Sequence, residues 1–138
     1  MYSNRCQQDT EDLFYAEFSR LKYRTGSVFN CMVKGGVKFW KITSGDEKHH
    51  GFQYVTGLNI DSVPFSPEDD CLSGLHFTST EYVTKWSNIY TRDDDMWIRP
   101  VTIPDDAKVV VYSNWKIKAD RIILGPKQLL LPKLGCFN

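Results

Sequence analysis

The chain has 138 residues, with 17 Lys and Arg against 17 Asp and Glu, so its formal net charge is zero. Apolar residues make up 41% and aromatics 14%. That suits one ordinary globular domain, able to bury roughly two thirds of its unfolded surface, and it excludes general disorder. The neutral balance argues against a domain built to grip phosphate backbone, so no nucleic-acid partner is expected. No apolar run approaches the ~20 residues of a membrane span, so no membrane partner is expected either.

Thr10 to Tyr23 reads as an N-terminal helix. Asp9 or Thr10 can cap it, Glu11 and Asp12 suit its first turn, and Phe14, Phe18 and Leu21 make one apolar stripe. Gly26 ends that pattern, and Arg24 to Gly36 reads as a linker with three glycines. The expected division is therefore 1–36, helix and linker, and 37–138, a single α+β domain. Val37 to Thr43 alternates and is rich in β-formers, so a strand is predicted, with a second short one at Gly51 to Val55. Thr56 to Ser73, carrying Gly57, Pro64, Pro67 and Glu68-Asp69-Asp70, reads as a long loop, a feature usually tied to function. Gly74 to Thr78 reads as a strand. Thr78 and Glu81 have capping-box spacing, which predicts a mid-chain helix reaching Ile89.

Met96 to Ile103 is a predicted strand in which Pro100 points to an edge or a bulge. Pro104-Asp105-Asp106-Ala107 is turn chemistry, so Lys108 to Tyr112 should return as the second strand of a hairpin. Ala119 to Leu124 is a further strand. Leu129 to Leu131, between Pro126 and Pro132, either covers the sheet or forms an interface strip, and the sequence fixes no oligomeric state. The fold class expected from these elements is α+β: a mainly antiparallel sheet with an N-terminal helix and one mid-chain helix.

The four cysteines, Cys6, Cys31, Cys71 and Cys136, contain no close pair, which argues against structural zinc. Met1 to Thr10 is polar and lacks a signal-peptide core, so a non-secreted protein with reduced thiols is expected. His49-His50 in a strand would point to opposite faces and rarely meet one metal, so no metal is expected. The acidic runs Glu68-Asp69-Asp70 and Asp93-Asp94-Asp95 lack a calcium-loop layout and read as solvated loops. The lysines of Lys108 to Lys127 read as the solvent face of strands. No serine-nucleophile elbow, Walker loop or dinucleotide glycine motif is present. A pairing of Cys71 with His76 or His50 stays open.

The residues Phe39 to Thr43, His50-Gly51-Phe52-Gln53-Tyr54, Gly57-Leu58-Asn59, Pro64-Phe65, Cys71, Gly74 to Thr78, Val101 to Val109 and Lys118 to Gly125 occur in a consistent order. This block resembles the N-terminal domain of ankyrin-repeat proteins of giant DNA viruses of the mimivirus group. The sequence itself contains no repeat of about 33 residues. The resemblance implies a viral, repeat-free version of a domain without an established activity, in the host-cell cytoplasm or in the virion. A second, narrower likeness is to poly-ADP-ribose-polymerase-like transferases. It implies that His50 and Gly51 hold an NAD ribose and that His76 stands where a tyrosine stacks on nicotinamide. That family's later glutamate is missing, since no glutamate follows Glu81.

The expectation that follows is a non-catalytic module binding a host or viral protein, with no cofactor. Its face would comprise His50, Gly51, Tyr54, Gly57, Leu58, Gly74, His76, Phe77 and Thr78 together with Phe52. In this reading the His50 and His76 segments are neighbouring strands roofed by the 56–73 loop, although Phe52 and Phe77 also read as core. The alternatives are an NAD-binding, ADP-ribosyltransferase-like domain, active or degenerate, and a virion structural component.

Overall fold

The computed structural model describes residues 23–33, 35–83, 96–113 and 116–130. In chain order these give β1 (Arg24–Thr25), α1 (Gly26–Met32), β2 (Phe39–Ser44), β3 (Lys48–His49), β4 (Phe52–Gln53), β5 (Gly57–Ile60) and β6 (Leu75–Ser79). A single 3-10 turn (Thr80–Tyr82) follows, then β7 (Met96–Thr102), β8 (Lys108–Ser113), β9 (Lys116–Ala119), β10 (Arg121–Leu124) and β11 (Gln128–Leu130). Every pairing is antiparallel. The main sheet runs β1-β8-β9-β6-β2-β7-β10-β5, with β11 also on β7, while β3 and β4 form a separate hairpin.

The α+β expectation is corrected by this architecture: the described fold is a curled antiparallel half-barrel with one helix. The expected N-terminal helix at 10–23 lies almost entirely outside the described residues. The mid-chain helix is described only at its start, where Ser79 ends β6 without a side-chain cap and Thr80–Tyr82 makes one 3-10 turn. Its remainder, 84–89, lies outside the described residues.

Among the described residues the helix α1 sits where glycine spacing suggests a linker. Thr25 is its N-cap, its Oγ1 accepting from Val28 N at 3.3 Å. Gly26 starts the helix rather than ending one, for a steric reason. A Cβ there would lie 1.8 Å from the Pro104 carbonyl oxygen, while Gly26 N donates to Ala107 O at 2.7 Å. The helix drives Phe29 and Met32 into the core, and β1 pairs with β8.

Alternation sorts the sheet into two faces. Inside the curl, Phe29, Tyr54, Leu75, Phe77, Val101, Val109, Ile117, Ala119, Ile122 and Leu124 pack as the main core. On the outer side of β2 and β7, a smaller cluster joins Ile42, Val83, Met96, Ile98 and Leu130. The strand expected over Ala119 to Leu124 is two pieces, β9 and β10, broken at Asp120. Asp120 is a corner: its N donates to Lys108 O, its carbonyl accepts from Asp61 N, and its Oδ1 accepts from Lys108 N. Strands far apart in the ladder are thereby joined, which curls the sheet.

The turn at Pro104 closes with Ala107 N donating to Pro104 O at 3.1 Å, yet β7 and β8 do not pair. They diverge to opposite wings, and the neighbour of β8 is β9. Pro100 occupies a central strand rather than an edge. It lies where β10 stops and β11 has not begun, and its carbonyl accepts from Gly125 N at 2.9 Å. The missing proline N–H faces that break in the ladder, so no hydrogen bond is lost.

Of the described cysteines, Cys31 is disulfide-bonded and Cys71 is free and exposed, so the reduced-thiol expectation fails at Cys31. Among the described residues no helix is long and apolar enough to cross a membrane.

Candidate functional site

The nine residues singled out from sequence fall in four places. His50 and Gly51 are the tip of the β3–β4 hairpin, both with positive φ (50° and 81°), the backbone of a two-residue type I′ turn. Tyr54 and Phe77 are core, 4% and 2% exposed. Gly57 and Leu58 lie on β5, the end strand of the sheet. Gly74, His76 and Thr78 belong to β6 or its entry. The two histidine-bearing segments do not pair: β3 and β4 pair with each other, whereas β6 pairs with β9 and β2.

The long connection covers different strands from those expected. Its acidic run is tied to the sheet, while Glu68 and Asp69 stay solvent-exposed as expected. Lys116 Nζ meets Asp69 at 2.5 Å, and Lys118 Nζ donates to Glu68 O at 2.7 Å, with Asp70 at 3.6 Å. The Tyr112 hydroxyl lies 2.5 Å from Pro67 O and 2.7 Å from Glu68 O. Burial, then the neighbouring carboxylates, raises the Tyr112 pKa. Gly74 closes the connection with φ 87°, its N–H on Asp61 Oδ2 at 2.6 Å. A Cβ on Gly74 would fall 2.5 Å from the Lys118 stem. Lys118 is fully buried, not on a solvent face.

Two features bear on function. The first is the free edge of β5. Asp61 N donates to Asp120 O in the β5–β10 register, so Asn59 and Gly57 also turn their backbone groups toward β10. Leu58 and Ile60 turn theirs outward, and no described residue pairs with them. Their side chains are 53% and 48% exposed, beside exposed Ile123, which lies directly across from Leu58. Lysine and proline are absent from this strand, so the usual protections of an edge are missing from it.

The second is a split between β2 and β6. These strands pair only at Phe39↔Ser79 and Trp40↔Thr78, after which β6 leaves for β9. Lys41, 5% exposed, bridges the split: its Nζ donates to His76 O at 2.7 Å and lies 4.6 Å from the centre of the Tyr54 ring. Burial lowers the Lys41 pKa to about 7, opposed by Cys71. Burial, then Lys41, lowers His76 to about 3 and His49 to about 4. His76 Nε2 has no partner among the described residues. Sequence reasoning passed over Lys41 as strand polarity. Its signal was phase, since Phe39, Lys41 and Thr43 share one face of β2 and that face is the inner one.

Among the described residues no three metal-ligating side chains cluster. No protein-family model matches the chain, and no solved structure matches it. The chain is 38% identical over 100 residues to the putative ankyrin repeat protein R868 of Acanthamoeba polyphaga mimivirus, covering 69% of this chain and 48% of that one. It is 34% identical over 112 residues to putative ankyrin repeat protein R896 of the same virus, covering 80% of this chain and 33% of that one. The uncharacterized protein R869 is 34% identical over 95 residues, with 67% of each chain covered. The chain thus spans about half of R868 and a third of R896. The likeness to ADP-ribosyltransferases finds no support in these comparisons, and His50-Gly51 occupies a turn rather than the strand that likeness requires. The chain belongs to the family of mimivirus proteins that includes R868, R896 and R869.

Proposed function

We propose that the chain is a non-catalytic protein-interaction module that adds an extended segment of a host or viral protein to the free edge of β5. The observation that carries this reading is the outward backbone of Leu58 and Ile60 with exposed apolar side chains on the same strand. Strand addition uses such an edge: main-chain hydrogen bonds give affinity, and alternate side chains give specificity. Two outward residues on a four-residue strand specify an extended partner of similar length with an alternating apolar pattern. A second copy of the chain fits less well, because a stable dimer buries about 800 Å² per partner and this short edge offers far less. The relatives' name, putative ankyrin repeat protein, is compatible with interaction work and names no partner.

Selection from a library of displayed extended peptides, followed by amide hydrogen exchange, tests the reading. Bound peptides should slow exchange at Leu58 and Ile60, and Leu58→Asp with Ile60→Asp should abolish binding while leaving core amides protected. Peptides that bind without protecting those two amides, or no selected binder at all, would overturn it.

A further inference from the structure

The 61–74 connection leaves β5 and returns to β6 without joining the sheet. Among the described residues no main-chain hydrogen bond links residues 62–73 to any strand. The connection is held down by side chains that rise from β8 and β9. The Tyr112 hydroxyl reaches Pro67 O and Glu68 O, Lys118 Nζ donates to Glu68 O and lies 3.6 Å from Asp70, and Lys116 pairs with Asp69. Apolar anchoring is thin. Phe65 packs edge-on against Tyr23, with Lys118 Nζ 5.6 Å from its ring centre, while Val63 and Leu72 are 45% and 79% exposed.

The two ends of the connection close on each other. Asp61 accepts from Gly74 N through Oδ2 and from Val63 N through Oδ1, and Ser73 Oγ accepts from Ser66 N. Compact surface loops whose ends meet in this way are units of their own. Such a loop can lift without pulling β5 or β6 out of the sheet, and Asp61 N stays on Asp120 O. What lies beneath favours lifting. Lys118 is a fully buried ammonium, and burial lowers its pKa against the pull of Asp70. Lifting returns that charge to water, which offsets the bonds that are lost. It also frees the ordered backbone of the connection. The balance between closed and open is therefore finer than the one that holds β9, which pairs on both sides.

We propose that the 61–74 connection is a strap that opens from the β8–β9 face as one unit while the sheet stays folded. The device does not rest on the β5 reading. Opening uncovers Lys118 and Tyr112, and Val110 lies directly across from Lys118 on the same face. The strap thereby gates a cationic, tyrosine-bearing face separate from the β5 edge. Once off the sheet, its few internal side-chain bonds do not hold it in shape, so they break with the same opening.

The test is native-state hydrogen exchange of the full chain by NMR in rising, sub-denaturing urea. The probes are the amides of Ser66 and Gly74 and the ammonium protons of Lys118. One opening constant, common to the three within about threefold, is expected. It should exceed that of the Ile117 and Ala119 amides by about 100-fold or more, and it should depend less on urea because less surface is exposed. Tyr112→Phe should raise the three constants by one common factor of about five. Constants that differ from probe to probe would mean fraying residue by residue. Constants equal to those of Ile117 and Ala119 would mean that the strap leaves only with the sheet. Either result overturns the proposal, as does a Tyr112→Phe effect confined to one probe.

Discussion

Arg99 grips Glu47 with two hydrogen bonds inside the curl: Nε donates to Oε2 at 2.8 Å and Nη2 to Oε1 at 3.0 Å. Thr43 Oγ1 donates to the same carboxylate at 3.2 Å, and Arg99 Nη1 reaches Thr56 Oγ1 and Gly125 O. One ion pair thus ties β2, β7, the start of β5 and the β10–β11 break to the turn that launches the β3–β4 hairpin. Glu47 holds a positive φ of 54° while doing so, a strained backbone for a non-glycine residue.

Removing Glu47 leaves Arg99 buried without its carboxylate, and removing Arg99 leaves Glu47 with only the longer 3.7 Å contact to Lys127. Glu47→Gln and Arg99→Met should each cost about 3–5 kcal/mol in urea unfolding. The double variant should cost much less than the sum, since both charges then leave together. Additive losses would mean that the two residues act separately.

The strands were legible because alternation and turn chemistry are local. Val37 to Thr43, Gly74 to Thr78 and Met96 to Ile103 contain β2, β6 and β7 nearly residue for residue. Pairing was not legible. Nothing in the turn at Pro104 says that β7 and β8 separate, because that choice is made by Asp120 and by α1 docking on the same turn. The candidate site was legible only in part. Gly57 and Leu58 do lie on the exposed edge, but Tyr54 and Phe77 are core, and the buried lysines were hidden by the habit of placing lysine in water.

Gly26 tests the helix assignment. Gly26→Ala puts a methyl group against the Pro104 carbonyl, so it should destabilise by about 2 kcal/mol or more despite alanine's better helix propensity. Gly35→Ala meets nothing within 4 Å and should be near neutral. Thr25→Ala removes the cap and should cost about 1 kcal/mol. Thermal unfolding of the three variants checks the order.

Stability should depend on pH with two arms. Lys41 has a folded-state pKa of about 7, below its ordinary 10.5, so between those values the unfolded chain binds more protons and stability rises with pH. His76, at about 3 instead of 6.5, makes stability fall as pH drops from 6.5 toward 3. His49 acts in the same direction but is exposed, so solvent screens its share. Each fully differential group contributes a slope of up to about 1.4 kcal/mol per pH unit. Lys41→Met should shallow the alkaline arm, leaving the share of Lys118, whose pKa burial also lowers, and His76→Gln should shallow the acid arm. Urea midpoints from pH 4 to 10 read both. An alkaline arm of unchanged slope in Lys41→Met would assign it to Lys118 instead.

The clamp on the 61–74 connection gives the last prediction. Tyr112 donates one hydroxyl proton, so its two carbonyl neighbours, Pro67 O and Glu68 O, share it, while Lys118 supplies a separate charged bond to Glu68 O. Tyr112→Phe should therefore cost only about 1 kcal/mol. Lys118→Met should loosen the connection more than it destabilises the fold. The methionine keeps most of the apolar stem packed against Gly74, and the lost ammonium was itself costly to bury. Hydrogen exchange separates the two effects. Amides at Leu72 and Gly74 should exchange faster in Lys118→Met, while those of Ile117 and Ala119 in β9 stay protected. Equal loss across both groups would mean that Lys118 supports the sheet rather than the connection above it.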